Sequence, residues 1–223
     1  MDYPFWVNNF DRVKDHRLAY PSVAKIFEQP VSFWYGDRQG KYSCNIDDGL
    51  GRLMKRVDPQ LPVLVIYNIP ERDVGHYSKG GAKTREAYLE FLHAFCRGIG
   101  DRAPIVIFEP DAVSHSTLMD KSIAESRLSL LKEGLETLTS NSNALVYVDV
   151  GHSNWLAPSK VAKLLDIVSN NKVRGFSVNV SNFRSTKESM KWSLQICEQR
   201  PNDHFVIDTS RNGSGPLGND WCN

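Results

Sequence analysis

Six short apolar runs recur along this chain at intervals of about 30 to 40 residues, centred near Phe33, Leu64, Val106, Val146, Ser177 and Ile207. Each is nearly continuous in apolar side chains rather than alternating, the pattern of strands covered on both faces of a parallel sheet. Between most of them the apolar period changes to three and four residues. Tyr88, Phe91, Leu92, Phe95 and Ile99 define one helix face, Leu128, Leu131, Leu135 and Leu138 a second, and Val161, Leu164, Leu165 and Val168 a third. Met190, Leu194 and Cys197, with Trp192 and Ile196 beside them, mark a fourth, and all four faces read as core. Alternating strands and helices predict right-handed βαβ units and an α/β fold. No linker, low-complexity stretch or sequence repeat interrupts the 223 residues, so one domain spanning residues 1–223 is the simplest expectation.

Polar residues gather where the runs end. Tyr67 and Asp73 follow the second run, Glu109-Pro110-Asp111 closes the third, and Asp149 with His152 follows the fourth. Asn179 with Asn182 and Asp208 with Arg211 follow the fifth and sixth. In a barrel of parallel strands these ends share one face, and active sites are built there. Two carboxylates facing one cleft raise each other's proton affinity, so one of them can stay protonated and act as a general acid. The alternative for Asp73 and Asp111 is plain helix capping, since Asp is a favoured N-cap.

Bulk properties narrow the partners. With 27 basic and 26 acidic side chains the formal net charge is +1, which gives no electrostatic case for nucleic acid or a membrane surface. No apolar run approaches the roughly 20 residues of a transmembrane helix, and Met1-Asp2-Tyr3-Pro4-Phe5-Trp6 lacks the pattern of a secretory signal. The four cysteines, Cys44, Cys96, Cys197 and Cys222, contain no CxxC pair and predict no zinc site. Cys96 and Cys197 fall in helical patterns and read as buried; Cys44 and Cys222 fall in loop context and are the better disulfide candidates. No Gly-rich phosphate loop suggests a nucleotide cofactor.

The motifs, taken together, resemble glycoside hydrolase family 6, the cellobiohydrolases and endoglucanases of β-1,4-glucan. Tyr67-Asn68-Ile69-Pro70-Glu71-Arg72-Asp73 is similar to that family's Tyr-Asp-Leu-Pro-Asp-Arg-Asp segment, and Ser78-Lys79-Gly80-Gly81 to its Ser- and Gly-containing loop. Ile107-Phe108-Glu109-Pro110-Asp111 resembles Ile-Glu-Pro-Asp. Residues Tyr147 to Leu156 resemble Tyr-Leu-Asp-Ala-Gly-His-x-x-Trp-Leu, and Arg174 to Phe183 resemble Arg-Gly-x-x-Thr-Asn-Val-Ala-Asn-Tyr. Ile207 to Gly213 and Asp220-Trp221-Cys222-Asn223 complete a collinear series.

The resemblance implies a distorted, incomplete parallel β/α barrel and an inverting β-1,4-glucan hydrolase, monomeric, secreted and without cofactor or metal. By match to the family, Asp111 would be the general acid. Asp73 would keep it protonated and help organise the attacking water. Tyr67 would press on the sugar ring, Arg72 orient the carboxylates and Ser78 hold the water. Trp34, Trp155 and Trp221 match positions that stack on sugar rings, and His152, Asn179 and Asn182 match hydrogen-bonding positions. Inverting enzymes keep their carboxyls roughly 6.5–9.5 Å apart to admit a water.

The chain departs from the family in several places. Its last residues, Asp220 to Asn223, stand where the family continues into another strand and a Lys-Pro-Gly-Gly-Glu-Cys-Asp-Gly-like segment bearing a candidate base and a cysteine partner for Cys222. The expectation is therefore a barrel without its closing strand. It also leaves open a second reading, a glucan-binding relative without turnover or an inactive fragment. Val74 stands at a frequent cysteine position, Asn68 replaces an aspartate, and Pro158 follows Trp155 where cellobiohydrolases often carry a second Trp. The compact spacing favours an open cleft of the endoglucanase kind.

Overall fold

All six apolar runs form strands. The computed structural model describes residues 4–36, 46–75 and 77–218. The strands are β1 (Phe33–Tyr35), β2 (Val63–Ile66), β3 (Ile105–Phe108), β4 (Leu145–Asp149), β5 (Gly175–Val178) and β6 (His204–Ile207). Helices alternate with them: α1 (Asp11–Ala19) precedes β1, and α2 (Ile46–Val57) and α3 (Arg85–Ile99) follow β1 and β2. The short α4 (Ala112–His115) and the long α5 (Lys121–Asn141) follow β3, α6 (Pro158–Val168) follows β4, and α7 (Thr186–Cys197) follows β5.

Every neighbouring pair of strands is parallel, and the order in the sheet is the order in the chain, β1-β2-β3-β4-β5-β6. A doubly wound sheet would reverse direction at a switch point. Sequential order has no reversal, so right-handed crossovers bring the successive helices onto one face, as in a barrel. Among the described residues β1 and β6 each pair on one side only, and the sheet is open. This is the incomplete parallel β/α barrel expected from the sequence.

The period of two along each strand sorts its side chains into two clusters. Leu64 and Ile66, Val106 and Phe108, Val146 and Val148, Phe176 and Val178 belong to the large core that includes the buried faces of α2, α3, α5, α6 and α7. Val65, Ile105, Ile107 and Tyr147 point the other way into a smaller cluster with Tyr67, Val180 and Val206. That second cluster is the inner wall of the barrel, and Tyr67 carries it up to the strand ends.

Three helix faces agree with the sequence reading: Tyr88, Leu92, Phe95 and Ile99 on α3, the four leucines on α5 and the four residues on α6 are all buried. The fourth does not. On α7 the buried residues are Ser189, Trp192, Ser193 and Ile196, whereas Met190 and Leu194 are 47% and 53% exposed. The face is set by Trp192, whose indole N–H donates to the Leu156 carbonyl at 3.0 Å. The two small serines let the helix sit close, a pattern that hydrophobicity alone hides. Cys96 is buried and Cys197 partly so, and both are free thiols; Cys44 and Cys222 lie outside the described residues.

Candidate active site at the strand ends

Hydrogen bonds between adjacent chain segments continue past the last residues of the strands and tie the loops together. Tyr67 N–H donates to the Tyr35 carbonyl (2.8 Å), Glu109 N–H to Ile66 (2.9 Å), Val150 N–H to Ser177 (3.1 Å), Asn179 N–H to Gly151 (2.8 Å) and Asp208 N–H to Val178 (3.0 Å). The polar residues that follow β2 to β6 therefore share one rim.

The backbone of that rim is strained. Among the described residues seven non-glycines have positive φ, and all follow strand ends: Glu71, Asp73 and Val74 after β2, Glu109 and Asp111 after β3, Asn179 and Ser181 after β5. Such conformations cost on the order of 1–3 kcal/mol each and persist only where surrounding contacts over-determine them. A β-branched residue such as Val74, with φ of 48°, is an outlier among them. Concentration of strain on one rim marks it as the part of the molecule where geometry, rather than stability, is selected.

Asp111 opens α4 in the left-handed conformation (φ 66°), and its carboxylate makes no capping hydrogen bond. Capping is thus not what this acid does. Its backbone N–H donates to Asp149 Oδ1 at 2.8 Å. Burial first, and then the charge of Asp73, raises the Asp111 proton affinity from 3.8 to about 6. Asp73 caps no helix either: α3 is capped by Thr84, while Asp73 Oδ2 accepts the Ser78 N–H at 2.7 Å. That bond ties the Ser78 loop to the carboxylate.

Arg72 braces the same loop from below. Its Nε donates to the Ser78 carbonyl and its Nη1 to the Tyr67 carbonyl, both at 2.8 Å, and its guanidinium lies 4.9 Å from the Tyr67 ring centre. Close approach of Gly36 and Gly81 is part of this construction. A Cβ on Gly36 would stand 2.4 Å from the Tyr67 carbonyl oxygen, and one on Gly81 would stand 1.9 Å from that of Ile69. The Tyr67 hydroxyl is held firmly protonated by burial and by the charges of Asp111 and Asp73. Trp34, 38% exposed on β1, meets Tyr67 edge-on at 5.6 Å between ring centres.

The β4 loop supplies the other wall. Asp149 is wholly buried; it accepts hydrogen bonds from Asp111 N–H, Gly151 N–H (3.0 Å) and the Ser177 hydroxyl (3.0 Å). Burial and the nearby Asp111 raise its proton affinity well above the ordinary value. Trp155 is half-buried between His115, edge-on at 5.0 Å, and His152 at 5.5 Å. Burial and Arg184 lower the His152 pKa to about 4, so its imidazole is neutral through the mildly acidic range.

The two asparagines differ. Asn179 is fully buried and commits its whole amide to backbone: Nδ2 donates to the Arg184 and Asp208 carbonyls, and Oδ1 accepts the Arg184 N–H. Asn182 Oδ1 accepts the Phe183 N–H at 2.8 Å. Trp221 lies outside the described residues.

Two acids belong with this set that the sequence motifs did not single out for roles. Asp149 seats the Asp111 backbone. Glu109, also fully buried, accepts the Asn68 and Ile69 N–H groups at 3.0–3.1 Å. The available signal was an acid terminating an apolar run, which in a buried strand demands a partner. Among the described residues no cluster of His, Cys, Asp and Glu has the arrangement of a metal site, and no helix is long and apolar enough to cross a membrane.

The model of glycosyl hydrolases family 6 matches residues 7–223. The chain belongs to that family. An endoglucanase 1 of Streptomyces sp. (strain KSM-9) is 36% identical over 212 residues, covering 93% of this chain and 58% of the relative. Endoglucanase A of Cellulomonas fimi is 36% identical over 203 residues, 90% of this chain and 43% of its own length. The chain thus spans about half the length of these curated relatives. Among solved structures, the endoglucanase Cel6 of Mycobacterium tuberculosis, in complex with a thio-linked cellobioside, superposes with a TM-score of 0.89 at 31% identity. It covers 99% of this family 6 chain, which in turn covers 78% of the solved chain.

Proposed function

We propose that this chain is a single catalytic domain that hydrolyses β-1,4-glucosidic bonds in cellulose and related β-glucans with inversion, using Asp111 as general acid. One observation carries the reading. Asp111 is an uncapped, half-buried carboxyl at the rim of the parallel sheet, with its proton affinity raised to about 6 beside Asp73. A carboxyl of that kind can hold a proton at mildly acidic pH and deliver it to a departing glycosidic oxygen.

The remaining residues take roles around that transfer. Asp73 keeps the proton on Asp111 and, with the Ser78 loop it holds, organises the attacking water. Its negative charge also favours the oxocarbenium-like transition state. Arg72 fixes the Tyr67–Ser78 geometry, and Tyr67 presses on the sugar at the cleaved bond. Trp34 and Trp155 offer ring faces for neighbouring glucosyl units, with Trp221 assigned the same part. His152 and Asn182 bond sugar hydroxyls; Asn179 contributes by shaping the β5 loop that carries Asn182. The reaction needs no cofactor or metal. The partner is a glucan chain rather than nucleic acid or membrane, and we assign the protein as a secreted monomer.

The test is reducing-sugar release from soluble barley β-glucan, comparing the chain with Asp111→Ala. Activity should be present, lost in the variant, and should fall as pH rises through about 6 as Asp111 deprotonates. Binding of cello-oligosaccharides without any product would instead make the protein a glucan-binding relative.

A further inference from the structure

Two buried ionisable groups outside the sugar-facing set bind the backbone of one short segment. Glu109, at the end of β3, accepts the backbone N–H of Asn68 at 3.1 and 3.0 Å and that of Ile69 at 3.0 Å. Arg127, on α5 and 7% exposed, donates through Nη2 to the carbonyls of Pro70 (2.9 Å) and Glu71 (3.1 Å). Four consecutive residues, 68–71, are thereby held by their backbone. Tyr67 stands at one end of the segment, and Arg72 and Asp73 stand at the other.

The segment needs such a hold. Glu71, Asp73 and Val74 are all in the left-handed region, so the chain here does not rest in its own preferred conformation. Burial is costly to both, raising the Glu109 pKa to about 7 and lowering that of Arg127, and simple core packing would use apolar groups in their place. Tyr88, wholly buried on α3, completes the cluster beside Glu109. Both carboxyl oxygens of Glu109 and the Nη2 of Arg127 direct their hydrogen bonds at the segment's main chain, where they fix its position.

We propose that Glu109 and Arg127 are positioning residues that clamp segment 68–71 so that Tyr67, Arg72 and Asp73 are presented to Asp111. The proposal rests on the hydrolase reading for its kinetic consequence only. The groups facing Asp111 are Asp73 from the turn after the segment, Asp149 from β4 and Tyr67 from the end of β2. If the clamp loosens, Asp73 moves and Asp111 loses the neighbouring charge that helps it keep its proton.

The experiment uses Glu109→Gln, which leaves one acceptor oxygen and sets an amide N–H donor against the Asn68 N–H in place of the other, now at 3.1 Å. Two quantities are read: steady-state kinetics on cello-oligosaccharides, and the Asp111 titration followed by carboxyl NMR. With the variant folded, kcat should fall about 10- to 100-fold while KM stays within about threefold. The Asp111 midpoint should move down by about half a pH unit or more. An unchanged kcat, or an unmoved Asp111 midpoint, overturns the clamp. Should Glu109→Gln not fold, Arg127→Met carries the same two readouts, and Arg127→Lys should recover part of the loss. If the wild-type chain turns over no glucan, the hydrolase reading fails, yet the Asp111 titration still decides the clamp.

Discussion

Asp111 is held in the fold at a cost in stability. Its folded-state pKa of about 6 lies above the ordinary 3.8 because burial, and then Asp73, oppose ionisation. Below about pH 4 the carboxyl is protonated in both folded and unfolded chains and costs nothing. Between about 4 and 6 the unfolded chain releases its proton while the folded one keeps it, so stability falls as pH rises, and the loss is complete above about 6. Asparagine cannot ionise. Asp111→Asn should therefore melt at the same temperature as wild type near pH 4. At pH 8 it should be more stable by on the order of 2–3 kcal/mol, or about 4–12 °C by calorimetry, while losing activity. Equal melting temperatures at pH 8 would mean that Asp111 is not held protonated by the fold. The places of Asp111 and Asp73 at the strand ends were legible in the sequence because each acid follows an apolar run. What each residue touches was not: Asp73 holding the Ser78 N–H, or Asn179 committing its amide to Arg184 and Asp208, depends on loop conformations with positive φ that no residue-type preference announces.

Among elements, the strands were the most legible. Buried parallel strands are uniformly apolar, and all six centres read from the sequence fall in or next to a strand of the sheet. Helices with leucine-rich faces, α5 and α6, were equally plain. α7 was misread because its buried face is Ser189, Trp192, Ser193 and Ile196, two of them polar. The corrected register has a consequence. Leu194→Glu, at a half-exposed position, should change stability by no more than about 0.5 kcal/mol, whereas Trp192→Ala should cost about 3–5 kcal/mol through its cavity and lost indole hydrogen bond. Urea melts of the two variants test this, and comparable losses in both would restore the Met190–Leu194 face as the packed one. Helix α2 does carry a periodic face, Leu50, Leu53, Met54 and Val57, all buried, that went unread in the chain, whereas α1 is polar and α4 a single turn.

For the whole molecule, uninterrupted strand order decides what the rim can do. Because β1 to β6 follow one another without a switch point, every strand adds its C-terminal loop to the same edge, and Trp34, Tyr67, Asp111, His152 and Asn179 arrive there from five different strands or the loops after them. Membership of glycosyl hydrolases family 6 fits that architecture, and the chemistry proposed at its centre is proton donation by Asp111. The most direct measurement compares wild type and Asp111→Asn on two substrates that differ in their need for an acid. One is cellotetraose, whose leaving sugar must be protonated; the other is dinitrophenyl β-cellobioside, whose leaving group departs as a stable anion. The account predicts that Asp111→Asn loses about 10²- to 10⁴-fold on cellotetraose and less than about tenfold on the dinitrophenyl substrate. Equal losses on both, or full activity on cellotetraose, would show that Asp111 is not the acid.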